Sequence, residues 1–337
     1  MKTVLFGFSG SGKSELFAAL AGPGGAPAGG RVMAKVPEPR LEPLVALYSP
    51  KKVTLAEMEF LDMPGGGERG RGLGNRVLTA IRPADCLLAV LDAFSGLDDP
   101  QEQWQAIETD LLVADLAVVE KRLERLALDK KKNKDLVDPA EEAALERVQA
   151  CLESEKPLRE DPELAAAHVL RGFQFLSAKP VLWAWNCPEA EVADRELPPN
   201  GPGQAHLAVS ARLEHDLAEL EDPEERAMFL ADAGLTASAL DRVLGKVFEL
   251  LGLISFFTTG PDEVRAWPVR RGSLAPEAAG AIHSDIQKGV IRAEVTGYED
   301  FAKAGSLKRA KELGQARLEG REYVVQDGDI VEFRFNV

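Results

Sequence analysis

The stretch Gly7-Phe8-Ser9-Gly10-Ser11-Gly12-Lys13-Ser14 follows directly on the apolar run Val4-Leu5-Phe6 and fits G-x-x-x-x-G-K-[ST]. Few patterns constrain a fold as tightly. The glycines let backbone N–H groups close around a polyphosphate, and the helix that follows brings its positive N-terminal end to the same place. The chain supplies both flanks: "KTVLFGF" reads as a short buried strand and "GKSELFAALAG" as a helix with Leu16, Phe17 and Leu20 on one side. Gly7, Gly10, Ser11 and Gly12 are therefore expected to wrap phosphate. Lys13 is expected to neutralise the β- and γ-phosphates, and Ser14 to offer its hydroxyl to Mg²⁺. Glu15 is out of keeping with this. A carboxylate at a helix start stabilises the empty helix by roughly 0.3–1 kcal/mol, yet facing inward it would oppose a triphosphate.

The rest of the first 253 residues supports a doubly covered parallel sheet. "CLLAVLDAF", "PVLWAWN" and "HLAVSA" are short continuous apolar strands separated by helical stretches, and "KKVTLAEMEFLDMPG" reads as strand material ending in Asp62. Such runs belong to an α/β fold with both sheet faces buried. Asp62 ends its strand where a carboxylate can hold magnesium, and Gly65, three residues on, can offer its N–H to a γ-phosphate. Asn186-Cys187-Pro188-Glu189 follows the next-to-last strand, where a base-reading motif should stand. A guanine clamp wants Asp at its fourth position, and Glu189 is one methylene longer. Taken alone, this segment is equally consistent with an ordinary strand-to-loop turn. Ser210 and Ala211, after the last of these strands, are candidates to offer a backbone N–H to the base, or simply end the strand.

An insertion interrupts this pattern. Leu112, Leu116, Val119, Leu123 and Leu126 step by alternate fours and threes, an a/d seam. "DKKKNKD" breaks it, and Asp138-Pro139 starts a second helix carrying Leu145, Val148 and Leu152. The reading is an antiparallel helical hairpin of about two heptads per arm. Seven bases, from Lys121 to Lys134, gather towards its tip, either as a solvated end or as an RNA contact. After Phe256-Phe257 the texture becomes α+β: "VRAWPV", "VIRAEVTGY" and "GDIVEFRFNV" are β-type, with "APEAAGAIHSDIQKG" a helix carrying His283 in a structural role.

At 337 residues the chain suggests two or three domains. Its net charge of −15 is uneven: residues 98–253 hold −16, whereas residues 1–97 carry +2 and residues 254–337 carry −1. Such a chain is a poor nonspecific binder of nucleic acid, so any RNA contact must come from a local patch. No apolar run reaches the ~18 residues of a membrane span. Three cysteines without metal spacing point to a reducing cytosol.

In this order the motifs resemble those of the YchF/Obg-like ATPases, a branch of the Obg-related P-loop NTPases. "PEPRLEPL", "MEFLDMPG", "GLGNRVLTAIRPAD", "NCPE", "TGPDEVRAWPV", "AIHSDIQKGVIRAEV" and "VQDGDIVEFRFNV" carry the resemblance over nearly the whole length. It implies a P-loop nucleotide-binding domain over residues 1–98 and 174–253, an inserted helical coiled-coil hairpin over 99–173, and a ubiquitin-like α+β TGS domain over 254–337. It further implies a cytoplasmic monomer without membrane attachment. Such a protein binds ATP in preference to, or comparably with, GTP, uses Mg²⁺, and meets the ribosome or RNA through the hairpin and TGS domain. Asn186 and Glu189 match the family's N-x-x-E base motif, and Cys187 falls where a backbone contact to adenine is expected. Lys13 and Gly65 take the catalytic positions, and Ser14 and Asp62 the metal positions. The departures are Gly10 for the family's Asn, Glu15 for its Thr, and the lack of any Thr from Val4 through Val53, where the family places a magnesium-binding Thr. Two readings follow: an ATPase coupling nucleotide state to ribosome binding, or an adaptor of the same fold that has lost efficient hydrolysis.

Overall fold

In the computed structural model, residues 1–22, 30–63, 67, 72–133, 137–220 and 222–336 are described. In chain order the strands among them are β1 (Lys2–Phe6), β2 (Arg31–Lys35), β3 (Lys52–Thr54), β4 (Glu57–Asp62), β5 (Cys86–Asp92), β6 (Val181–Asn186), β7 (Gln204–Val209), β8 (Leu253–Thr258), β9 (Glu263–Arg270), β10 (Val290–Gly297), β11 (Arg317–Glu319) and β12 (Asp329–Phe335). Two units emerge: Met1–Ala34 with Glu59–Leu250, and Lys35–Met58 with Leu251–Val337.

The first unit is built on a sheet of order β2-β4-β1-β5-β6-β7. From β4 through β7 the pairing is parallel. Every residue of β5 and of β6 is buried, as strands covered by helices on both faces must be. The register sets Phe6 beside Ala89, Asp92 beside Asn186, and Asn186 beside Val209. The carboxyl ends of these strands therefore open on one crevice, the usual ligand position in such sheets. β2 was not foreseen. It is a strand with alternating burial, inward at Val32 and Ala34, too short to announce itself. The Gly- and Pro-rich loop before it lies mostly outside the described residues.

The insertion is a helical hairpin. Its first helix, Pro100–Lys132, begins with Asp99 accepting from the Gln101 N–H, and its second, Pro139–Glu153, with Asp138 accepting from that of Ala140. The second follows the Asp-Pro start expected of it, and the first uses the same device at Asp99-Pro100. The long helix serves two cores. Ile107 and Leu111 lie in the core of the sheet, while Leu112, Val119 and Leu126 share a second core with Leu145, Val148 and Leu152. The tip is less basic than its sequence reads. Arg122 makes two 2.8 Å bonds to Glu141, Lys130 bonds Glu142, and Asp129 faces Arg125 and Lys132. Lys121 and Lys131 are exposed and form no ion pair among the described residues, and Lys134 lies outside them. Among the described residues no helix is long and apolar enough to cross a membrane.

The second unit is α+β, with sheet order β11-β10-β12-β8-β9-β3. The run from Lys52 to Asp62 is not one strand. β3 pairs in parallel with β9 of this unit, Val53 beside Val264, whereas β4 pairs with β1. On one face of the sheet Ile254 and Phe256 meet Ala275 and Ala278 of the helix Ala275–Ile282. On the other, Phe257 meets Leu41 and Leu44 of the helix Leu41–Tyr48. The alternation of β8 thus feeds two cores. The helix expected through His283 breaks there. His283 sits between two short helices, and its Nδ1 accepts the Asp285 N–H at 3.2 Å.

Candidate nucleotide site

β1 ends at Phe6 and the glycine-rich loop turns immediately. Gly10 and Gly12 have φ of 81° and 83°, left-handed values that favour glycine. Gly12 is also spatially required: a Cβ there would stand 2.1 Å from Nδ2 of Asn186. The helix Lys13–Ala21 starts without any side-chain cap, so its first-turn N–H groups face the crevice unengaged by a capping side chain. Lys13 is buried, and its Nζ donates to the Phe8 carbonyl at 2.7 Å. Burial lowers its pKa below that of an ordinary lysine, an effect opposed by the charges of Asp62 and Glu15. Asp62 shows the complementary balance: burial raises its carboxyl and Lys13 pulls it down.

The residues fit a magnesium ion. Oδ1 of Asp62 is a buried acceptor without a protein partner, which normally costs free energy unless a cation or water answers it. Ser14 presents an exposed side chain on the first turn. Gly65 falls outside the described residues.

A cavity of about 820 Å³ brings the loop together with the segments after β6 and β7. It is lined by Gly10, Gly12 and Glu15 from the loop, by Asn186, Cys187 and Glu189, and by Ser210 and Ala211. Glu15 therefore lies on the cavity wall, exposed. Asn186 is already engaged on both sides of its amide, with one donor and one acceptor site still unused. Its Nδ2 donates to the Ser11 carbonyl at 3.0 Å and its Oδ1 accepts the Ala211 N–H at 2.9 Å. It ties the phosphate loop to the start of the helix Ala211–Glu219 while lining the cavity. The same bond engages the Ala211 N–H, and the Cys187 N–H is engaged by the Val209 carbonyl at 2.8 Å. Ser210 caps that helix, accepting from the Leu213 N–H.

Residues not singled out in the sequence also line the cavity: Phe94, Arg212, His215 and Asp216. The last three sit at helical i, i+3 and i+4 spacing on one helix face, a signal available once that helix start is recognised. Phe94 is presented by Asp92, whose carboxylate accepts from the backbone of Phe94 and Ser95.

A family model described as 50S ribosome-binding GTPase matches residues 2–121. The model YchF-GTPase_C, described as a protein of unknown function (DUF933), matches residues 253–336. The chain is 41% identical to the ribosome-binding ATPase YchF of Bacillus subtilis, over 90% of this chain and 88% of that one. It is 36% identical to Obg-like ATPase 1 of Oryza sativa subsp. japonica, over 90% and 82% of the two chains. The solved Schizosaccharomyces pombe YchF GTPase superposes with a TM-score of 0.85 at 28% identity, covering 99% of this chain and 97% of that one.

Proposed function

The chain belongs to the YchF family, and from that premise we propose that it is a cytoplasmic P-loop NTPase that binds ATP at least as well as GTP and couples its nucleotide state to association with the ribosome. The observation that carries this reading is the cavity that joins the glycine-rich loop to the Asn186–Glu189 segment. Lys13 would exchange the Phe8 carbonyl for phosphate oxygens. Ser14 and Asp62 would hold Mg²⁺, which when bound neutralises phosphate charge. The N–H of Gly65 would sense the γ-phosphate. Ribosome or RNA contact is assigned to the hairpin and to the second unit as a TGS domain, with the protein acting as a monomer. Among the described residues at the hairpin tip, Lys121 and Lys131 are the exposed bases without an ion pair that such a contact would use.

Glu189 is one methylene longer than the Asp of a guanine clamp and so misplaces the carboxylate, and titration with ATP, GTP and their non-hydrolysable analogues in Mg²⁺ should give ATP an affinity equal to or above that of GTP. Tenfold tighter GTP, about 1.4 kcal/mol, would overturn the base assignment. Loss of ribosome co-sedimentation on changing Lys121 and Lys131 to Glu, with a salt-dependent difference, is the matching result for the hairpin.

A second reading is favoured by Glu15. A carboxylate on the cavity wall, beside Lys13, repels a polyphosphate and suits an adaptor with weak binding and little hydrolysis. Glu15→Thr is accordingly expected to tighten ATP about tenfold, measured by calorimetry at one salt concentration. Equal affinities would mean that the carboxylate is no gate. Single-turnover phosphate release by the wild-type protein separates ATPase from adaptor.

A further inference from the structure

Three contacts lead from the phosphate loop to the hairpin, and none uses a residue assigned to the nucleotide. The Ser9 N–H, an amide of the loop itself, donates to the Gly67 carbonyl at 3.3 Å. Gly67 lies flat against the backbone of Gly72 and Leu73: a Cβ on it would fall 2.0 Å from the Gly72 carbonyl oxygen and 2.5 Å from the Leu73 Cα. The Leu73 N–H in turn donates to Oδ2 of Asp110 on the long hairpin helix at 2.7 Å. Gly72, at φ 77°, is held so close that a Cβ would touch both Asp110 oxygens at 2.9 and 3.0 Å.

The helix Gly74–Ile81 follows at once, and its far end is pinned to the same hairpin helix. Arg82 donates to Asp115 at 3.0 Å and to the Ala114 carbonyl at 3.1 Å. Asp115 is fully buried and also accepts from Leu176 and Ser177, where the chain returns from the insertion. The Arg82 end is thus locked by several bonds inside the protein. The Asp110 end is held by a single side chain that is part-exposed.

We propose that Asp110 is a positioning residue that links the state of the phosphate loop to the root of the hairpin. The proposal rests on the nucleotide-binding reading above. A polyphosphate that takes the Ser9 N–H must displace the Gly67 carbonyl. Gly67 cannot move without Gly72 and Leu73, against which it is packed with no side chain between. Their displacement strains or breaks the bond to Asp110, while Arg82 and Asp115 serve as the fixed point. Linkage then requires the reverse effect: releasing Asp110 must ease nucleotide binding.

The test uses the full chain, a non-hydrolysable ATP analogue with Mg²⁺, calorimetry for binding, and amide exchange of peptides around residue 110 for the hairpin. In the wild type the analogue should change exchange in those peptides. In Asp110→Ala the analogue should bind at least as tightly, and the nucleotide-dependent change should vanish. Asp110→Asn, whose side-chain oxygen can still accept from Leu73, should restore it. A purely structural contact would raise exchange in Asp110→Ala equally with and without analogue, leaving the difference intact, and that result overturns the proposal. So does a wild type that binds the analogue without any change around residue 110. A wild type that fails to bind the analogue overturns the nucleotide reading and this proposal together.

Discussion

Replacing Gly12 with alanine is expected to weaken ATP binding about a hundredfold. Two costs add. The residue has φ 83°, where an L side chain costs about 1–2 kcal/mol. The new methyl would also overlap Nδ2 of Asn186, at 2.1 Å. Asn186 is buried and cannot swing aside without giving up its bonds to the Ser11 carbonyl and the Ala211 N–H. Leaving such groups unanswered costs about 1–3 kcal/mol. A total near 3 kcal/mol corresponds to about two decades in affinity. The measurement is calorimetric titration of Gly12→Ala, Asn186→Ala and the double variant. If the overlap with Asn186 is the cause, the double variant will be little worse than Asn186→Ala, a non-additivity expected of touching groups. Strict additivity would assign the loss to backbone strain alone.

The phosphate loop was legible because its chemistry is local: strand, glycines, Lys13 and helix are contiguous, so one short window carries fold and function together. The hairpin was legible for a related reason, since Asp138-Pro139 marks the start of its second helix and the Leu112–Leu126 seam repeats in register; Asp99-Pro100, an equally local signal, was not singled out. What the sequence could not show depends on partners far along the chain. β3 and β4 lie in one β-prone run, and only their partners, Val264 in one case and Phe60's neighbour Thr3 in the other, divide it. Asn186 was expected beside the site from its segment alone, but its bond to Ser11 spans 175 residues, and only the fold shows that it also braces the loop. Asp110 and Asp115 look like ordinary helix acids until Leu73, Arg82 and Ser177 are seen around them. Nothing in the period of a helix distinguishes a solvated carboxylate from one that anchors a neighbouring backbone.

The same holds for His206, which is expected to make the first unit acid-sensitive. β7 carries it into a nest of Trp104, Trp183 and Trp185, with ring centroids 4.9–6.5 Å away. The Trp185 indole N–H donates to its Nδ1 at 3.1 Å, and its Nε2 has no protein partner. Among the described residues no carboxylate or other acceptor is bonded to the ring nitrogens, and burial pushes its pKa from 6.5 down to about 4. The unfolded chain therefore binds the proton more readily than the folded one. Stability is fully present above the unfolded value and is lost as pH falls from about 6.5 to about 4, by about 3 kcal/mol at 1.36 kcal/mol per pKa unit. Burial raises the carboxyl groups of Asp115 and Glu214, which act with the opposite sign, so the informative quantity is a difference between proteins. Urea denaturation followed by tryptophan fluorescence, between about pH 7 and pH 4.5, should show a loss in the wild type that His206→Leu lacks. The leucine variant starts lower at neutral pH, because the Trp185 N–H loses its acceptor, and the two curves should converge as the wild-type imidazole takes its proton. Parallel curves would mean that His206 is already charged, or stays solvated, in the folded protein.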